Sequence, residues 1–357
     1  MSIVPNPIPV GQILASELDA REWSQSDFAA VIGRPTQFVS EIVTGKKEIT
    51  RESAAQIGAA LGQTPEYWLN LQDSYLLNKQ AGDARTQQTL DDVRRRARLN
   101  ELVPINALKK RGVLNGRTLD DLESEVMDLL ELETLVEEPS FAIAARRSNG
   151  AEPVSPVQKA WVACVRQKAR NRTDLEPYSK DKLVELAATL PALLTSPEQF
   201  RTLPALFAAV GVALVYVEAL PGAKIDGCAF VLDKIPVIGI SGRGKRLDKV
   251  LFTLLHEIAH VVFGHVNHQT IVESLDDHDD DDGKEAEANA QAGTWVLPTP
   301  LPPLPERINA GWVENIAEQC GVAPIVVVGR LQNDRVLEWR TTLARNAPTV
   351  TAALEAW

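Results

Sequence analysis

The chain lacks most of what would tie it to an oxidising compartment, a membrane or a polyanion. Only three cysteines, Cys164, Cys228 and Cys320, occur in 357 residues. They are far apart, odd in number and form no CxxC pair, which argues against a disulfide framework and against a structural zinc built on thiolates. They are expected as small apolar residues of the interior. No uninterrupted apolar run approaches the roughly 20 residues of a membrane span, and no charged, apolar and small-residue series of a signal peptide opens the chain. A soluble, cytoplasmic protein with no membrane partner is therefore expected. An excess of positive charge is also missing: 37 Lys and Arg stand against 48 Asp and Glu, a formal charge of −11. Indiscriminate nucleic-acid binding, which rewards clustered cations, is thereby disfavoured, and any DNA contact must be local.

What is present is ordinary globular composition, 45% hydrophobic and 24% charged, in a chain long enough for two or three domains. Residues 8–80 carry apolar positions at three- and four-residue spacing, among them Leu14 and Leu18, Phe28 and Ile32, Val39 and Ile42, Ile57 and Leu61. Ser24 with Asp27, Gly33, Pro35, Gly45, Thr50, Gly62 and Thr64-Pro65 punctuate these segments as helix caps and stops. Residues 81–150 are strongly charged, with Arg94-Arg95-Arg96 and an acidic helix-like stretch from Leu119 to Glu138, and read as a helical connector. From 157 helical periodicity resumes, over 157–170 and from Tyr178 to about Leu194. Strand-like runs follow at Val212–Val217, Cys228–Leu232 and Val237–Ser241, with a turn at 234–236. A long amphipathic helix spans Arg246 to Gly264. The predicted fold class is mainly α with a small β-sheet (α+β), divided as 1–80, 81–150 and 151–357.

The long helix carries His256-Glu257-Ile258-Ala259-His260. Four residues apart on a helix, the two histidines project from one face and can share a zinc ion. A catalytic zinc needs a third protein ligand and an open position, and Glu257 beside the first ligand is placed to take a proton from water. All five histidines lie between residues 256 and 278, a clustering for which purely structural histidines have no reason. The apolar neighbours Leu254, Leu255, Ile258, Val261 and Val262 imply burial, where an imidazole pair needs partners. Glu285-Ala286-Glu287-Ala288-Asn289 offers the third ligand. Glu285 is favoured, with Asn289 holding the second nitrogen of a ligand histidine. Glu287 is the rival, since residues two apart on a helix do not share a face. His265 is a candidate for contacting substrate or a developing oxyanion, or a half-exposed helix-end residue. His268 and His278 read as loop residues, and Asp276 to Asp282 as a solvated loop. Arg243 and Tyr216 are candidate transition-state stabilisers.

These residues, from Arg246 through HExxH and His265 to Glu285-x-x-Ala288-Asn289 and Trp295-Val-Leu-Pro298, resemble the ImmA/IrrE metallopeptidase family over roughly 150–335. The resemblance implies Zn2+ held by His256, His260 and Glu285, with Glu257 as base and a specific regulatory protein as substrate. Gln291 stands where that family has phenylalanine.

Near the N-terminus, 23–29 and 33–42 have helix, tight turn, helix spacing, with Thr36, Gln37, Ser40 and Glu41 outward, as a recognition helix requires. Gln25, Lys46 and Lys47 suit phosphate contact. Residues 1–80 hold six Lys or Arg and nine Asp or Glu, an acidic balance that also suits a helical module binding protein. Ile8-Pro-Val-Gly11-Gln-Ile-Leu, Trp23-Ser-Gln and Pro65-Glu-Tyr-Trp68-Leu-Asn-Leu71 are similar to the HigA-type antitoxin branch of the XRE helix-turn-helix family. That similarity implies a repressor, commonly a homodimer, acting on palindromic operator DNA and often paired with a toxin. Together the motifs predict a transcriptional regulator fused to a zinc peptidase that cleaves a regulatory protein or itself. The alternative is an antitoxin-like repressor whose peptidase-like domain only binds a partner toxin or sensor.

Overall fold

A computed structural model describes residues 8–139, 154–266, 283–298 and 300–357, and residues 271–273 by their backbone alone. His268, His278 and the aspartate run lie outside the described residues. The chain divides into two compact units, 1–95 and 96–357.

The first unit holds α1 (Val10–Asp19), α2 (Gln25–Val31), α3 (Thr36–Val43), α4 (Arg51–Leu61) and α5 (Pro65–Ala81). Ser24 and Asp27 close a capping box on α2, and Thr50 and Ser53 close one on α4, so that N-terminal amides without helical partners are satisfied locally. Leu14, Phe28, Val39, Ile42, Ile57 and Trp68 meet in one core. Inside it the buried Gln72 carboxamide accepts from the Ile49 amide and donates to the Ile49 carbonyl, which replaces water for a loop backbone sealed from solvent.

The division between units falls within α6 (Ala84–Leu102). The second unit continues with α7 (Ile105–Lys110), α8 (Leu119–Leu130), α9 (Pro156–Arg170), α10 (Lys180–Leu193) and α11 (Leu203–Ala208). Then come β1 (Ala213–Tyr216), β2 (Gly227–Leu232) and β3 (Ile235–Ile240). They are followed by α12 (Leu247–Phe263), β4 (Ile271–Glu273), α13 (Gly283–Val296), α14 (Ala310–Cys320), α15 (Pro324–Asn333) and α16 (Thr351–Leu354). The sheet order is β1-β3-β2-β4, with β1 parallel to β3 and both other pairings antiparallel.

Both faces of this sheet are covered. Leu214, Tyr216, Ala229 and Ile238 turn to a core shared with α10 and α12 to α15. Ala213, Val215, Cys228, Phe230 and Val237 turn to a second core shared with α7, α8 and α9. Period-two alternation thus sorts apolar residues between two layers rather than between core and solvent.

Three sequence expectations meet differences here. Much of the segment expected as a connector over 81–150 contributes core residues: Leu99, Leu102, Leu108, Val126 and Leu130 are buried beneath the sheet. Its apolar residues are few and set among charges, so the segment reads as a connector, yet they join one core cluster. The acidic helix ends at Leu130 rather than Glu138. Glu131 has φ 58° and its carboxylate is taken by Arg166 and Arg170, each at 2.8 Å. The turn expected at 234–236 is Asp233-Lys234, at φ 49° and 70°, the two-residue geometry whose twist matches a hairpin. Pro236 lies inside β3, where β1 pairing has not begun, so its missing donor costs no ladder bond on that side. Cys164 and Cys228 are buried and Cys320 is half-buried, all as free thiols.

No helix among the described residues is long and apolar enough to cross a membrane. In the first unit, Gln72→Leu keeps the side chain's volume but strands both backbone groups of Ile49. A loss of about 1–3 kcal/mol is expected, read from chemical denaturation of the full chain, and an unchanged midpoint would contradict it.

Candidate metal centre

The site is built on α12. Apolar residues all round this helix bury it between the sheet and α13, and the HExxH segment lies in its last two turns. His256, Glu257 and His260 are each 0% exposed. The two imidazoles come together at Nε2, 2.9 Å apart. Glu285, in the first turn of α13, brings Oε2 to 3.4 Å from each of those nitrogens. On the same helix one turn on, Asn289 places Oδ1 3.1 Å from His256 Nδ1. The rival Glu287 points elsewhere: its Oε2 is 3.0 Å from His265 Nε2.

These contacts fix the protons. Asn289 Oδ1 can only accept, so His256 Nδ1–H donates to it and His256 Nε2 keeps a lone pair. A cluster of nitrogen and carboxylate acceptors facing one point repels itself unless a cation lies among them. His256, His260 and Glu285 are the group able to hold a metal ion among the described residues. Buried polar atoms with no hydrogen-bond partner among the described residues also gather here, at Glu285 Oε2 and at both oxygens of Glu257.

Glu257 is admitted by Gly227 on β2. A Cβ at 227 would stand 2.4 Å from Glu257 Oε1 and 2.9 Å from Thr253 Cγ2, so only glycine leaves room for the carboxylate. Burial pushes Glu257 up to about 8, against the pull of His256 and with further upward pressure from Glu285 and Asp226. Glu285 also feels burial upward, but the His256 and His260 imidazoles beside it hold it down at about 2. Burial lowers His260 despite the carboxylate of Glu285 beside it.

Arg243 Nη1 lies 3.2 Å from Asp226 Oδ2, which ties it to a carboxylate neighbouring Glu257. Tyr216 packs edge-on against Trp357, centroids 6.4 Å apart. Gln291 is half-buried on α13. Gly227 and the His265–Glu287 contact are not picked out by sequence spacing. The histidine signal was visible at 265, but its partners depend on how the chain turns after α12.

In the first unit, Thr36, Gln37, Lys46 and Lys47 are exposed and Gln25, Ser40 and Glu41 half-buried, all on or beside α2 and α3. Glu41 is engaged: its Oε1 accepts from Gln37 Nε2 at 2.9 Å, and its Oε2 lies 3.8 Å from Lys47 Nζ. Lys47 and Arg34 both lie against the Phe38 ring, at 4.7 and 5.3 Å from its centroid. Arg34 is further held by Gln56 and Glu52.

Residues 213–332 match the Peptidase_M78 family, the IrrE N-terminal-like domain. The N-terminal region is similar to two uncharacterized HTH-type transcriptional regulators. One, YddM of Escherichia coli (strain K12), is 31% identical over 91 residues, 26% of this chain and 89% of that protein. The other, from Haemophilus influenzae, is 35% identical over 89 residues, 25% of this chain and 83% of that protein. An addiction module antidote protein of a HigA family from Coxiella burnetii is 38% identical, covering 21% of this chain and 83% of its own, at a TM-score of 0.20.

The raised Glu257 has a pH signature in the metal-free chain. Folded, the group keeps its proton from its ordinary 4.5 to about 8, whereas unfolded it has released it. The stabilisation is therefore full below 4.5 and is lost as pH rises through about 8. Glu257→Gln, which cannot ionise, should gain in melting temperature relative to the chelator-treated parent as pH rises from 4.5 to about 8, with no further gain above that. A difference that does not change with pH would refute the buried, unpaired carboxylate.

Proposed function

We propose, on the premise that the chain belongs to the HTH-type transcriptional regulators by its N-terminal region and carries a Peptidase_M78, IrrE N-terminal-like domain over 213–332, that it is a DNA-binding regulator coupled to a zinc metallopeptidase. Its substrate is a regulatory protein or the chain's own charged segment, and cleavage relieves repression. The observation that carries this reading is the convergence of His256 Nε2, His260 Nε2 and Glu285 Oε2 on one point beside a buried, unpartnered Glu257.

The donor set suits zinc. Bonds of about 2.0–2.2 Å in tetrahedral array separate ligand atoms by roughly 3.3–3.6 Å. The three edges here are 2.9, 3.4 and 3.4 Å, so the imidazoles need part only by a few tenths of an ångström. His256, His260 and Glu285 would hold the ion, with Asn289 fixing the His256 ring. Bound zinc supplies a Lewis acid that polarises a peptide carbonyl and acidifies water. Glu257 takes a water proton on its carboxylate and returns it to the departing amine nitrogen. A dication held there would favour its ionised form and offset the burial that raises it. The Gly227 backbone, lacking a Cβ, leaves the carboxylate its place.

For the first unit, α3 is the recognition helix of a homodimer on a palindromic operator in the cytoplasm. Thr36, Gln37, Ser40 and Glu41 face base edges, and Gln25, Lys46 and Lys47 face phosphates. The Gln37–Glu41–Lys47 contacts mean that Gln37 must exchange Glu41 for a base, so its side chain is the one whose removal reports on specificity.

The test uses the full chain loaded with zinc. Operator sequences are selected from random duplexes, and cleavage is followed by mass spectrometry on the chain itself and on proteins encoded beside it. Gln37→Ala should alter the selected sequence and weaken binding by about 1–3 kcal/mol with cleavage intact. Glu257→Gln should lower cleavage by about 10²–10⁴-fold with operator binding intact. Unchanged promoter induction in Glu257→Gln under every inducing stress would overturn the proteolytic switch. Operator protection without cleavage would leave a repressor whose second unit only holds a partner such as a toxin.

A further inference from the structure

We propose that His265 and Glu287 are positioning residues behind the metal-binding face: a hydrogen-bonded relay that fixes the tautomer and orientation of His260, so that its Nε2 is presented to a divalent cation. This rests on the metal-site reading above and assigns roles to two residues that lie outside the ligand set.

The relay begins with the end of α12. Gly264 takes a left-handed conformation, φ 74°, at the C-cap, which only glycine adopts without cost. That reversal carries His265 back over the last turn. Its amide donates to the His260 carbonyl at 3.0 Å, and its ring folds onto the His260 ring with Nδ1 to Nδ1 at 3.0 Å. His265 Nε2 then meets Glu287 Oε2 at 3.0 Å.

One carboxylate sets the direction of every bond in this series. A carboxylate oxygen accepts, so His265 Nε2 carries the hydrogen and donates to Glu287 Oε2. His265 Nδ1 is left with a lone pair and accepts from His260 Nδ1–H. His260 Nε2 is consequently the bare nitrogen, and it is the atom that lies 2.9 Å from His256 Nε2 and 3.4 Å from Glu285 Oε2. The opposite tautomer of His260 would direct a hydrogen into the space where a cation must sit.

The series also accounts for two carboxylates close to the start of α13. Residues two apart cannot face the same point; Glu285 faces the imidazole pair, and Glu287 reaches the histidine placed beyond the helix end. The His265 side chain is 8% exposed and that of Glu287 54%, so the relay runs from the surface to the buried ligand. The two ligand histidines are thereby backed unequally. His256 donates to a neutral amide, and His260 to an imidazole that itself leans on a carboxylate, which makes His260 the more basic donor.

The experiment measures metal binding by the purified full chain, independently of cleavage. Zn2+ affinity is read by competition with a chromophoric chelator, and the ligand field from the visible absorption of the Co2+-loaded chain. His265→Ala should weaken Zn2+ binding about 10–100-fold and shift the Co2+ bands. His265→Gln, whose amide can accept from His260 and donate to Glu287, should restore most of the affinity. Glu287→Gln lies at an exposed position where folding is not at stake; it should weaken binding less than His265→Ala and shift the bands in the same direction. Parental affinity and spectrum in both His265→Ala and Glu287→Gln, with binding abolished in His260→Ala, would overturn the relay and leave the metal site standing. Absence of Zn2+ and Co2+ binding by the parent chain would overturn the site itself.

Discussion

The second unit is organised around one electrostatic constraint: acceptor groups gathered in a place sealed from water. Two imidazole nitrogens, one oxygen of Glu285 and both oxygens of Glu257 occupy the interior of a helix-and-sheet layer where nothing described satisfies the carboxylates. Such groups are costly to bury unless a cation or proton compensates them. The fold bears that cost in a specific manner. α12 is apolar round most of its circumference, the sheet covers one side and α13 the other, and His256, Glu257 and His260 form a buried polar stripe. Stability and site formation are therefore coupled, because the same helix that carries much of the core carries the charges that oppose burial.

The outer contacts of the cluster explain why it is arranged rather than merely acidic. Asn289 and the His265–Glu287 pair each take one Nδ1, so that both Nε2 atoms are free of hydrogen. Gly227 withholds a side chain where Glu257 needs space, and Gly264 supplies the reversal that returns His265 to its own helix. Two glycines on different elements thus do for the site what added ligands could not. They let backbone approach a carboxylate in one case and an imidazole in the other.

The first unit follows a different electrostatic logic. Its surface near α3 is not a simple basic patch: Glu41 is engaged by Gln37 and Lys47, Arg34 by Glu52 and Gln56, and both cations lie against the Phe38 ring. With nine acidic and six basic residues over 1–80, weak non-specific attraction is the physical expectation. On the proposed reading, operator binding by such a surface would depend on base contacts more than on phosphate neutralisation. The match of this region to HTH-type regulators and of 213–332 to the IrrE N-terminal-like domain places the two logics in one polypeptide.

The sequence by itself determined the local elements and the chemical character of the site. Capping residues such as Ser24, Thr50 and Gly62 mark helix ends because their effects are confined to one turn. The HExxH spacing puts two imidazoles on one face because helical pitch is fixed. The hairpin of β2 and β3 was legible as alternation, although its turn lay one step earlier than the proline suggested. Only the tertiary structure decided which residues fall under the sheet, because a sparse apolar face among charges, as at Leu99, Leu108 and Val126, carries no signal of its own until a partner surface is present. It also decided that Glu285, and not Glu287, faces the imidazole pair, which spacing alone leaves open. Their roles depend on the rotation of α13 against α12 and on the left-handed turn at Gly264, and both are set by packing between segments some 20 to 30 residues apart rather than by any pattern within one of them.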